Sequence, residues 1–125
     1  MYFKNEKHQE LFTKAIKKMD QKDNVQMSVV YLLTADKKTW QRCRSYMINQ
    51  KIPIHRIRIG ESTKEGYALF CLAKDISLGT KHITIYDLAD TKLIKTELWK
   101  MIYTSVEIIR RGIWAMMYYN EKNEK

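Results

Sequence analysis

Apolar positions recur along this chain at helical spacing, and polar clusters cut the recurrence into segments. After Asn5, the residues Leu11, Phe12, Ala15, Ile16 and Met19 return every three or four positions with Lys14, Lys17 and Lys18 between them. That pattern predicts an amphipathic helix capped by Asn5. The polar run 20–24 ends it, and residues 25–34 follow as a mostly apolar segment containing Val29, Val30, Tyr31, Leu32 and Leu33. Its β-branched and aromatic residues suit a strand. Its length favours a helix, with Asp36 capping the next one on a stripe of Trp40, Cys43 and Met47.

Residues 52–60 show period two, Ile57 and Ile59 facing opposite to Arg56 and Arg58, and Pro53 limits this stretch to an edge strand or an extended loop. Ser62 and Glu65 have the spacing of a capping box before a short buried helix over 67–73, which the run 77–80 interrupts. Residues 83–88 read as a short strand or a helical turn. From Thr96 as N-cap to Tyr119, one stripe holds Leu98, Met101, Ile102, Ser105, Ile109, Gly112 and Met116. A second holds Trp99, Tyr103, Val106, Ile113, Trp114 and Met117. A helix apolar on two faces predicts a central core helix, with Gly112 permitting close packing. Arg110 and Arg111 within it must reach solvent or pair, and Glu107 lies one turn before them.

The expected fold is therefore mainly α: a single compact helical domain over residues 1–125 with a long C-terminal core helix. A small extended or β element near residues 52–59 fits beside it, and residues 120–125 read as a frayed charged tail. At 125 residues and 45% hydrophobic, the chain can bury a core without disulfides or a structural metal. Cys43 and Cys71 form neither a CxxC pair nor a secreted framework. No signal-peptide core follows Met1, and no apolar run approaches the roughly 20 residues of a membrane-spanning helix. A reduced, cytoplasmic protein with no membrane partner is expected.

Charge changes the picture more than composition does. Lys37, Lys38, Arg42, Arg44, Lys51, Arg56 and Arg58 occupy residues 37–60 without one acidic residue, and they supply most of the net charge of +9. Such concentration points to a polyanion, a nucleic acid or nucleoprotein, or to an acidic protein surface, against the plain alternative of a solvated helix face. Trp40 and Tyr46 stand among these cations as candidates to stack a base, or to pack in the core. There is no helix-turn-helix glycine turn, no zinc spacing and no ribonucleoprotein motif, so binding by charge and shape is expected over sequence reading.

Catalytic chemistry finds little support. His8, His55 and His82 stand alone, without metal-ligand spacing, and no glycine-rich loop cradles a phosphate. Neighbouring Arg42 and Arg44 would activate Cys43 if close in space, but its place on an apolar stripe predicts a buried, inert thiol. No catalytic residue, metal or cofactor is expected.

Several pieces of the chain resemble a known pattern. These are Phe3-x-x-Glu6-x-His8-x-x-x-Phe12, the block from Val30 to Leu33, Ile85-Tyr86-Asp87-Leu88 with Leu93, Ile94 and Leu98, and Thr104-Ser105 with Ile109-Arg110. Together they resemble an uncharacterised family, a domain of unknown function, of short proteins from Gram-positive bacteria and their phages or mobile elements. The tryptophan-rich stretch of that family is here Trp99-Lys100-Met101-Ile102-Tyr103, and the basic region 44–58 stands outside its pattern. The resemblance implies a mobile-element setting and no catalytic residues. The expected function is that of a small non-enzymatic protein engaging nucleic acid or a nucleoprotein through its basic surface, inhibition of a host defence such as a CRISPR effector being one outlet. The alternative is a protein-interaction or homo-oligomerisation module, a homodimer for instance, using Trp99, Tyr103, Arg110, Arg111 and Trp114.

Overall fold

Residues 24–33 carry no charged side chain, so this helix alone can be enclosed on all sides without stranding a charge. The computed structural model, which describes residues 1–117, places it at the centre. The elements in order are α1 (Glu6–Ile16), α2 (Asn24–Leu33), α3 (Lys37–Arg44), a 3-10 turn at Ile54–Arg56, α4 (Lys64–Leu78), α5 (Ile85–Ala89) and α6 (Thr96–Arg111). Helix α2 packs chiefly on α4 and α6, with α1 and α3 also against it. Met27 and every residue from Val29 to Leu33 are fully buried. The chain is a single compact helical domain.

Local capping chemistry sets most helix starts. Asn5 accepts from the His8 amide, Asp23 from Gln26, and Asp36 from Thr39, as short polar side chains do at N-caps. Helix α5 has a full capping box between Thr84 and Asp87. Helix α4 starts one residue later than the sequence pattern suggests. Thr63, not Ser62, accepts from the Gly66 amide, because Glu65 is drawn away to Lys4 at 2.9 Å. It also runs past residue 73 to Leu78. The Asp75 carboxylate then gathers the following loop, accepting from Thr80 Oγ1 at 2.6 Å, the His82 amide at 2.9 Å and the Ile83 amide at 2.8 Å.

Three further expectations are corrected. Residues 52–59 form no strand: Ile52, Ile54, Ile57 and Ile59 are buried and His55, Arg56 and Arg58 exposed, but a 3-10 turn interrupts the alternation. The Ile52 amide is satisfied by the Gln26 side chain at 2.9 Å, which removes the need for a partner strand. Among the described residues the single β-type pairing is the bridge Ile48–Lys51. Second, the long C-terminal helix α6 enters the core with one face, not two. Its Met101, Ile102, Thr104, Ser105 and Ile108 are buried, whereas Trp99, Tyr103 and Val106 are exposed.

Third, Lys95 rather than Thr96 is the N-cap of α6, and Gly112 at φ 81° ends the helix where a continuous one to Tyr119 was expected. A side chain there would be strained, and its Cβ would lie 3.1 Å from Asn24 Oδ1. The chain is helical again at 113–117. Tyr119 and the expected tail at 120–125 lie outside the described residues.

His8, in the first turn of α1, is 1% exposed. Its Nδ1 accepts from the Lys4 amide at 3.0 Å and its Nε2 donates to the Tyr31 carbonyl at 2.7 Å, which fixes the neutral Nε2–H tautomer. Burial pushes its pKa down to about 4. The unfolded chain therefore binds more protons between the ordinary value near 6.5 and 4. Stability from this site is complete above about pH 6.5 and is lost as pH falls, by up to about 1.4 kcal/mol per pH unit. We expect the urea midpoint to drop between pH 7 and pH 5, and the drop to be largely absent in His8→Gln. An equal drop in that variant sinks the assignment.

Candidate nucleic-acid interface

Helix α3 has only eight residues, and three of them, Thr39, Trp40 and Cys43, point into the protein. The remaining positions are solvent-facing, so Lys37, Lys38, Arg42 and Arg44 are all exposed. They do not form one uniform patch. Lys37 and Arg44, seven residues apart, share one edge of the helix, while Lys38 and Arg42 share the other. Facing the Arg44 edge, α1 contributes Lys14 and the turn after it contributes Lys18. The three cations rim a groove of about 480 Å³ with Leu11, Ala15, Trp40 and Met47 as its apolar lining. Ser45 completes it, and no carboxylate lines it.

On the other edge, Arg42 Nη1 donates to the Ile59 carbonyl and its guanidinium lies over Gly60. Gly60 sits at φ 65° with no room for a Cβ beneath that group, so the glycine is what lets the arginine clasp the 52–60 segment onto α3. Arg42 is thus a structural strap as much as a surface charge. Lys38 and Arg42 line a smaller recess, about 340 Å³, which also holds Glu61. Lys51 pairs with Asp23 at 3.5 Å. Arg56 and Arg58 are exposed and make no ion pair among the described residues. The loss of the strand removes the argument that they project together.

Of the residues expected to stack on a base, Trp40 is 4% exposed and packed in the groove lining, so its ring faces are taken. Tyr46 is exposed. Lys14 and Lys18 were missed as site residues. Their spacing of four, at the end of α1 and in the turn after it, was the available signal, but only the placement of α3 opposite makes it a groove.

The residues expected at a protein interface take up a separate place. Trp99, Tyr103 and Trp114 are exposed, and Arg110 and Arg111 pair with Glu107 at 3.4 Å and 3.0 Å. A cavity of about 620 Å³ lies beside them, lined by Tyr2, Trp99, Lys100, Tyr103, Glu107 and Arg111 among others. Lys100 Nζ stands 5.6 Å from the Tyr2 ring centroid, within cation–π range.

No three His, Cys, Asp or Glu side chains among the described residues are grouped to hold a metal ion. No helix among them is long and apolar enough to cross a membrane. No protein-family model, curated protein or solved structure matches this chain.

Both thiols are buried, and desolvation pushes Cys43 up to about 12 despite the opposing field of Arg42. A thiol held protonated is a poor nucleophile. Thiol titration of the folded protein at pH 8 is expected to find no fast-reacting cysteine, and two after unfolding. Rapid labelling of Cys43 in the folded state contradicts the burial argument.

Proposed function

We propose that this protein binds nucleic acid, free or within a nucleoprotein, by charge and shape through the groove between α1 and α3, and that it performs no catalysis. The observation that carries this reading is the convergence of Lys14, Lys18 and Arg44 around an apolar floor without a carboxylate. Cations held on α1, on the turn that ends it and on α3 can follow successive phosphates, while the floor accepts sugar or base edges without demanding a sequence. Lys37 extends the same edge of α3. Arg42 and Lys51 are engaged within the protein and contribute less than their charge suggests. The mobile-element setting implied by the sequence resemblance would make a nucleoprotein of host defence, a CRISPR effector for instance, one target that such a surface could occlude.

The test is association with labelled single-stranded and duplex DNA and RNA across a range of salt. Three phosphate contacts on duplex DNA give a log–log salt slope of roughly −3. Replacing Lys14, Lys18 or Arg44 singly with Ala should flatten the slope by about 0.9 each, with little change in the unfolding midpoint because all three are exposed. Arg42→Ala is expected to lower the midpoint, since it unclasps Ile59. Absence of binding at low salt, or binding untouched by reversing all three groove charges, overturns the proposal.

A further inference from the structure

Helix α6 buries one face on α2 and presents to solvent a second stripe, Trp99, Tyr103, Val106 and Arg110. Their exposures are 47%, 61% and 45% for the three apolar residues, and 71% for the arginine side chain. The spacing is four, three, four, which is the seam of a helix that packs against another helix. We propose that this seam pairs with a second copy of the same chain, the two α6 helices running antiparallel about a two-fold axis midway between Tyr103 and Val106.

The choice of occupant comes from the order of residues along the seam. Turned end over end on that axis, the stripe is complementary to itself. Tyr103 faces Val106 of the second copy, and Trp99 faces Arg110 of the second copy, a guanidinium against an indole. Beside the seam, Lys100 and Glu107 hold equivalent flanking positions seven residues apart. Antiparallel pairing brings equivalent flanks together, so Lys100 meets Glu107 of the second copy. Lys100, which stands over the Tyr2 ring, makes no ion pair within the described chain, and Glu107, its side chain 13% exposed, keeps lone pairs beyond those used by Arg110 and Arg111. Parallel pairing would instead set Arg110 against Arg110 and bring Lys100 beside Lys95 of the second copy. The inference stands on α6 alone and is independent of the groove between α1 and α3.

Sedimentation equilibrium on nucleic-acid-free protein from about 1 μM to about 1 mM tests it. A monomer–dimer equilibrium is expected. Val106→Glu should raise the dimer Kd about a hundredfold or more by burying two like charges near the axis, with circular dichroism and melting unchanged. Register is read by cysteine pairs, to which the buried Cys43 and Cys71 do not contribute. A mixture of Tyr103→Cys and Val106→Cys proteins should oxidise to a cross-linked heterodimer. Trp99→Cys alone should not cross-link, because its two copies would stand roughly 16 Å apart along the axis. A monomer throughout the range, a dimer indifferent to Val106→Glu, or efficient Trp99→Cys cross-linking overturns the proposal.

Discussion

Enclosure of α2 is the constraint on which the other elements depend. A helix buried from Gln26 to Leu33 must satisfy the polar groups of that stretch from within, because an unpaired buried group costs on the order of 1–3 kcal/mol. The polar side chains of α2 accordingly tie three other parts of the chain to the centre, α6 twice. Asn24 donates to the Ile109 carbonyl at 3.2 Å, meeting one of the acceptors left open at the end of α6. Gln26 takes the Ile52 amide, Ser28 donates to the Ser105 carbonyl at 2.8 Å, and Tyr31 reaches the Tyr2 carbonyl at 2.6 Å. Among the described residues no buried side-chain nitrogen or oxygen lacks a partner.

The N-terminal segment is held by the same logic. Tyr2, Phe3 and Lys4 lie across the start of α1, where His8 is clasped between the Lys4 amide and the Tyr31 carbonyl. Phe3 packs edge-on to the His8 ring at 5.1 Å, and Phe12 meets the Tyr31 ring at 85°. A neutral histidine with both nitrogens committed serves here as a structural joint, sensitive to acid and unsuited to shuttling protons. Tyr2 then becomes a wall of the cavity beside α6, so the aromatic cluster around α2 shapes the outer surface as well as the core.

Filling the centre with an uncharged helix pushes charge to the periphery, where the elements divide it unequally. Helix α3 is too short to bury more than one narrow face, and its cations remain in water. Across the groove from Arg44, Lys14 on α1 and Lys18 in the turn after it add neighbours of the same sign. On the opposite edge, Arg42 is spent on the Ile59 carbonyl and Glu61 dilutes the positive field. Helix α6 shows the complementary outcome: one face is used on α2, and an apolar seam with alternating charge beside it is left outward.

Much of the helical plan was legible in the residues themselves, because it rests on local chemistry. Asn5 and Asp36 cap the helices they were expected to cap, and the stripes Phe12, Ala15, Ile16 and Trp40, Cys43 are buried as their spacing implies. Period and capping depend on neighbours within a few positions, and the sequence carries those directly. What it could not decide were choices made by distant partners. Glu65 shifts the start of α4 because Lys4 is near it, and α6 breaks at Gly112 where Asn24 donates to the Ile109 carbonyl. The alternating isoleucines at 52–59 bury without a strand because Gln26 supplies the hydrogen bond a neighbouring strand would have supplied. Which of two apolar faces on α6 is covered, and which lysines stand beside Arg44, follow from how the helices pack, since burial is shared among elements far apart in the chain.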